Sequence, residues 1–304
     1  KNGQAKPKPA GDEASNLMKP ADMPEGPIPA RVDDAPVRRV QDDPLPALRD
    51  THADKGYEDF PNARAFLTDS QGKAVIDPET AKQGALGDCY FIAGCAAVAR
   101  ANPEAISKIV KDNADGTFDV TLHLRSSPYA DPTPVTRTID AQLPTGGHGD
   151  PLYAKVGQST EEGDEVWMAL LEKRLAQEKG SYDLISGGKV NQGLDFRGVN
   201  ELLTGKKEIS INTSRDGDAL LKTMDDALKN KQSLTADTVN MEDLAELRSE
   251  AMTHNVFGNH AYAVREVNLQ ARTVNLQNPW GQKHVSNLSI DDFKRFYRNI
   301  RVGS

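Results

Sequence analysis

The run Gln83-Gly84-Ala85-Leu86-Gly87-Asp88-Cys89 constrains this chain most, because a glycine-rich turn delivers a cysteine directly onto a small apolar segment. From Cys89 to Ala101, Ile92, Cys95, Ala96 and Ala99 recur at helical spacing, and nothing interrupts the run before Pro103. The spacing predicts a buried helix that begins at Cys89. Unpaired N–H groups and the dipole at a helix start favour a thiolate, the reactive form of cysteine, so Cys89 is the candidate nucleophile. Gln83, six residues upstream, can turn its amide back toward the thiol and donate to an oxyanion. Free cysteines are otherwise commonly buried and inert, which is the reading for Cys95. Six helical residues rise about 9 Å, beyond the Cα separation of about 7 Å that a disulfide tolerates, so the two cysteines are not expected to pair.

A cysteine nucleophile needs a base and a group that orients the base. His260 to Val267 alternates as a strand, and Arg272 to Asn278 reads as a second strand after a short polar connection. A hairpin centred near Leu269 places His260 opposite Asn278, within side-chain reach. An amide facing an imidazole fixes its tautomer and leaves the other ring nitrogen for the thiol. Trp280, two residues on, can cover that hydrogen bond from water, or serve plain packing.

The other histidines, His52, His123, His148, His254 and His284, show no metal-ligand spacing, and neither HExxH nor CxxC occurs. No GxSxG elbow is present, and Ser186-Gly187-Gly188-Lys189 lacks the rest of a phosphate loop, so Gly187 and Gly188 read as a hinge or turn.

Five blocks, in order, resemble the calpain protease core: Gln83 to Cys89; Glu165-Val166-Trp167 through Lys173; Gly180-Ser181-Tyr182 through Gly188; Gly258-Asn259-His260-Ala261-Tyr262; and Asn278-Pro279-Trp280-Gly281. Asn102-Pro103-Glu104, Leu143-Pro144-Thr145 and Asp292-Phe293 add support, so the resemblance covers about residues 60 to 302. It implies an α+β, papain-like two-lobed cysteine protease fold, with a helical lobe carrying the cysteine and a β-rich lobe carrying histidine and asparagine. By the resemblance Cys89 is the nucleophile, His260 the general base and acid, Asn278 the orienter, and Gln83 with the Cys89 N–H the oxyanion hole. The implied substrates are extended segments of proteins, cut at a few accessible sites through a thioester acyl-enzyme. Transglutaminase or deamidase chemistry on the same Cys-His-Asn set is the alternative, and a binding-only pseudoenzyme a further one that the four intact positions disfavour.

Departures from the family bear on calcium. Tyr90 stands where calpains carry tryptophan, an exchange that a helix-start aromatic position tolerates. One family calcium site takes an aspartate nine residues before the cysteine, where this chain has Thr80; its glutamate ligand matches as Glu165, and Glu79 is a neighbouring substitute. The second site uses an acidic loop that is absent between Gly281, Lys283, His284 and Asp292. The expectation is an enzyme with no required cofactor, calcium included, controlled instead by synthesis, delivery, or an inhibitor or immunity partner.

The organisation expected is a flexible leader or linker at 1–59, a Cys lobe at 60–188 and a His/Asn lobe at 189–304. Nine of the 18 prolines precede residue 50, among few large apolar residues, so that stretch cannot offset its ordering entropy and reads as a linker, propeptide or docking tail. Extended segments are expected at Thr117 to Leu124 and Val135 to Ile139. A helix from Glu165 puts Trp167, Leu170, Leu171 and Leu175 inward and Glu172 and Lys173 outward, and another helix spans Asp218 to Lys229. Acidic residues 240–255 form a gate or an ordinary surface helix. No apolar run can span a membrane, and a net charge of −8 with dispersed cations argues against nucleic acid. The architecture suits a secreted or delivered toxin or effector domain, with a cytoplasmic enzyme as the other setting.

Overall fold

Over Phe91–Ala99 the chain carries no polar group beyond one thiol, and Cys89–Ala101 forms a helix buried on all sides rather than along one stripe. It stops at Asn102 because the residue before a proline is pushed out of the helical region, and Pro103 then opens the helix Pro103–Ile109 at its first position. The structure, a computed structural model, describes residues 43–52, 54–146, 149–187, 197–240 and 247–304. Most of the expected leader, Gly188 of the expected hinge, His148, and residues 241–246 of the acidic segment lie outside the described residues.

Thr117–Leu124 alternates between buried and half-exposed positions, as its sequence predicts. It pairs antiparallel with Thr133–Asp140 and with Val110–Asp112, giving a three-stranded sheet. The helix expected from Glu165 starts at Trp167 and runs to Lys179; Glu165 itself ends the short strand Gly163–Glu165. Phe91, Ile92, Val98, Phe118, Leu122, Leu170 and Leu171 meet in one hydrophobic core. Each large side chain fully buried there contributes roughly 1.5–3 kcal/mol.

The Trp167–Lys179 helix corrects one expectation. Glu172 and Lys173 are not solvated: both are buried, Lys173 completely. Glu172 accepts the Ala154 N–H with both oxygens, at 3.1 and 3.0 Å. Lys173 Nζ binds Asp43 at 2.7 Å and Asp140 at 2.9 Å, so partners distant in sequence cover the face that helical periodicity assigns to water. Asp43, Ala47 and Tyr57–Asp59, grouped with the leader by composition, reach the same body. Gln177 also donates to the Asp43 carboxylate, Ala47 N–H bonds Gly180 O at 2.9 Å, and Tyr57–Asp59 pairs with Gln142–Pro144.

The second core lies on a six-stranded antiparallel sheet in the order Glu208–Asn212, Tyr297–Gly303, Leu234–Thr238, Ala261–Asn268, Thr273–Gln277, Val285–Ser289. Helices Gly217–Lys229 and Ile290–Phe296 supply Leu220, Leu221, Met224, Phe293 and Phe296 to it. Ala263, in the middle of the sheet, packs into the first core, and the Cys89 helix lies along the Ala261–Asn268 strand, so the two cores meet there. No helix among the described residues is long and apolar enough to cross a membrane.

Candidate active site

Each part of the turn before Cys89 is tied down. A Cβ at Gly84 would overlap the backbone of Leu152 and Tyr153, so only glycine lets the strap at Ala85 bond Leu152 O at 3.0 Å. Gln83 N–H donates to Pro279 O at 2.8 Å, which joins this turn to the residue after Asn278. The Gln83 side chain donates from Nε2 to Leu86 O at 2.5 Å, within its own turn, while its Oε1 is buried without a partner. One Nε2 hydrogen is therefore committed and one remains. Asp88, at the N-cap, makes no capping bond and is fully buried beside Glu172. Burial pushes Asp88 up to about 7, and burial together with the Asp88 charge drives Glu172 well above the carboxylate range. The two acids thus hold at least one proton between them at neutral pH.

The thiol does not behave as a bare helix-start argument predicts. Burial pushes Cys89 up to about 11; the N–H of Ala261 favours the thiolate, but the Asp88 charge opposes it. A desolvated site penalises the charged form more than helix-terminal N–H groups reward it. The Ala261 contact places Cys89 against the residue that follows His260.

His260 is held from both sides. Its N–H donates to Thr238 Oγ1 at 2.9 Å, and its carbonyl accepts from the Thr238 N–H at 2.9 Å and hydroxyl at 3.0 Å. Its ring lies within an aromatic box: Trp280 at 4.7 Å, Tyr262 edge-on at 4.9 Å, Phe257 edge-on at 6.5 Å. His260 Nε2 meets Asn278 Oδ1 at 3.0 Å. Because that oxygen only accepts, Nε2 carries the proton and Nδ1 keeps a lone pair. Burial lowers the ring to about 4, with the Asn278 bond working weakly against it. Burial thus disfavours the charged form of both the thiol and the imidazole.

Asn278 is wholly buried, with its amide oxygen, amide nitrogen and backbone N–H all bonded. Oδ1 also accepts the Trp280 N–H at 3.1 Å, Nδ2 donates to Lys283 O at 3.3 Å, and the backbone N–H donates to His284 Nδ1 at 3.1 Å. The hairpin register differs from the expected one. Ala263 faces Gln277 rather than Asn275, and a bulge at Arg265 separates Val264↔Leu276 from Glu266↔Asn275. His260 precedes the strand Ala261–Asn268, Asn278 follows Thr273–Gln277, and their side chains reach each other from the strand ends. A shift of two residues preserves the face each side chain uses, which is why the predicted partnership survives a wrong register.

Sequence reasoning missed Thr238, Phe257, Asp88 and Glu172, and set His284 aside. Only Phe257, a large aromatic three residues before His260, carried a local signal.

The residues matching the family's calcium position make the following contacts. Thr80 Oγ1 is taken up by Asp77 O at 2.8 Å and by Trp167 Nε1–H at 3.1 Å. Glu165 has one buried oxygen without a hydrogen bond, but burial raises its carboxyl to about 7, and nearby Lys82 donates to Gly157 O at 3.3 Å. Glu79, the substitute considered, is bound by Arg100 and Arg265. Calcium asks for six to eight oxygens with several carboxylates. Among the described residues no group of three or more His, Cys, Asp or Glu could hold a metal ion.

A thiol at a helix start, an imidazole with one nitrogen free, and a buried amide on the other nitrogen define the class of the cysteine peptidases. The chain belongs to the calpain family of cysteine proteases, whose family model matches residues 63–296. It is similar to the calpain-2 catalytic subunit of Gallus gallus, 32% identical over 213 residues, 66% of this chain and 27% of that one. It is also similar to calpain-8 of Mus musculus, 32% identical over 214 residues, and to calpain-8 of Homo sapiens, 31% identical over 221. These alignments cover 66% and 69% of this chain, and 28% and 29% of the relatives' length.

Proposed function

We propose that this chain is a calcium-independent cysteine endopeptidase of papain-like, two-lobed design, cutting extended segments of proteins through a thioester. The observation that carries the reading is the His260 Nε2–Asn278 Oδ1 bond, which leaves Nδ1 to act as the base, on a residue whose neighbour Ala261 supplies an N–H to Cys89.

His260 Nδ1 takes the thiol proton and the sulfur attacks the scissile carbonyl carbon. The oxyanion is received by the Cys89 N–H and the remaining Nε2 hydrogen of Gln83. Collapse breaks the C–N bond, and the departing amine takes the proton from the imidazolium that Asn278 orients. His260 then removes a proton from water, hydroxide attacks the thioester, and the acid leaves as the thiol is restored. Trp280 shields the His260–Asn278 bond.

Calcium independence is supported by Thr80 standing where the family has an aspartate, with its hydroxyl bonded to Asp77 O and Trp167, and by the arginine-bound Glu79. Digestion of casein by wild type beside Cys89→Ala, in EDTA and then in excess calcium, tests both parts. Cleavage in EDTA that vanishes in the variant is expected. Activity only with calcium refutes the metal-free reading, and glutamine mass shifts or crosslinks without chain cuts refute hydrolysis in favour of acyl transfer.

A further inference from the structure

One polar network joins the two cores away from the thiol. Glu79, in the single turn Pro78–Thr80, accepts Arg100 Nη2–H at 2.6 Å and Arg265 Nε–H at 3.1 Å, and its second oxygen also takes Arg265 Nη2–H. Arg100 Nη2 donates as well to Gln277 Oε1 at 2.7 Å, and Gln277 Nε2 donates to Pro78 O at 2.8 Å. Pro78, Glu79 and Arg100 belong to the Cys89 side, Arg265 and Gln277 to the His260 side. Burial alone would raise the Glu79 carboxyl, but the two arginines outweigh it and hold the group below its ordinary value.

The attachment points are informative. Arg100 sits in the last turn of the Cys89 helix, a stiff rod with Cys89 at its other end. Gln277 is 1% exposed and immediately precedes Asn278, and Arg265 is five residues after His260. Arg265 occupies the bulge in the hairpin, and bulges re-aim a side chain away from the direction its ladder position would give. Apolar packing does not close this edge: a cavity of about 140 Å³, lined by Ala97, Arg100, Leu228, Lys231, Gln232 and Arg265 among others, lies beside the network.

We propose that Glu79, Arg100, Arg265 and Gln277 form a positioning latch that fixes the Cys89 helix relative to the His260–Asn278 hairpin and so sets the thiol–imidazole alignment by the chain's own charges. The inference rests on the peptidase reading only in its enzymatic readout. A misplacement of about 1 Å between reacting groups costs on the order of a hundredfold in rate. The three charged side chains are 26–38% exposed, so salt weakens the latch.

The test compares wild type, Glu79→Gln, Arg265→Gln and the double variant by casein kinetics, by the pH profile of Cys89 alkylation with iodoacetamide, and by Tm. Each single change is expected to lower kcat by about 10- to 100-fold with KM within about twofold. The double variant is expected to be no worse than the poorer single, and the alkylation profile to shift in all three while Tm moves little. Wild-type kcat should fall between about 0.1 and about 1 M NaCl, where the screening length shrinks from ~10 to ~3 Å, and Glu79→Gln should lose that dependence. Unchanged kcat and alkylation in the variants of an active enzyme overturn the latch and leave the peptidase reading intact. A wild type that leaves casein whole, with alkylation profiles that still shift in the variants, overturns the peptidase reading and supports the latch. Losses of kcat that only follow Tm overturn the latch.

Discussion

Asn278→Ala isolates the orienter. In the structure Asn278 Oδ1 is the partner of His260 Nε2 at 3.0 Å, and His260 is 8% exposed, so water cannot readily replace it. During attack the imidazole becomes a cation, and the bond it then makes to Oδ1 is charge-assisted, worth about 1.5–3 kcal/mol. Losing that in the transition state corresponds to roughly a 10- to 150-fold fall in kcat. KM should hold, because the amide touches no substrate. The sign of the pH effect is also set: the Asn278 bond raises the His260 pKa, so its removal carries the ring further below about 4, and the acid limb of kcat/KM moves to lower pH. The variant also frees the Trp280 N–H and Lys283 carbonyl and should lose about 1–3 kcal/mol of stability, so kinetics are read well below its Tm. A kcat within about threefold of wild type, or an acid limb displaced upward, would refute the orienting role.

Glu165→Gln should stabilise the protein at pH 8 by about 3 kcal/mol: the native carboxyl titrates near 7 against 4.5 when unfolded, so its penalty is complete above pH 7 and absent below pH 4.5, and chemical denaturation at pH 8 and at pH 4 checks it. In Lys173→Met, Asp43 and Asp140 lose the cation between them, with an expected cost of about 3–5 kcal/mol read from urea midpoints. Gly94→Ala puts a methyl 2.5 Å from Val199 Cβ inside the Cys89 helix contact, and overpacking of about 1–3 kcal/mol should outweigh the roughly 1 kcal/mol gained in helix propensity, giving a lower Tm.

Local punctuation made much of this molecule legible. The helix Cys89–Ala101 was readable to both ends because a glycine turn starts it and Asn102-Pro103 stops it. Thr117–Leu124 was readable because one of its faces is buried. Gln83, Cys89, His260 and Asn278 were singled out from residue type and order; the structure bonds His260 to Asn278, sets Cys89 against Ala261 and tilts Trp280 against the His260 ring. What escaped was nonlocal. Arg265, at the bulge, finds its partner 186 residues away in Glu79, and no pattern within the hairpin announces it. Glu172 and Lys173 look solvated by helical period because Ala154, Asp140 and Asp43 arrive from elsewhere in the chain. The thiol expectation left out a nonlocal factor: dipole arguments use the helix alone, whereas the burial that raises the Cys89 pKa comes from the assembled fold.

The Asp43 contact has a practical consequence for anyone trimming this chain. The family match opens at residue 63, yet the fully buried Lys173 ammonium shares itself between Asp140 and a carboxylate twenty residues upstream of that boundary. A fragment cut at the edge of the recognisable domain would strip away Asp43, the Ala47 strap along Gly180–Tyr182 and the Tyr57–Asp59 strand together. The smallest expression unit that keeps the interior charge of the Trp167 helix balanced therefore begins at or before Asp43, so sequence similarity alone would draw the border too late.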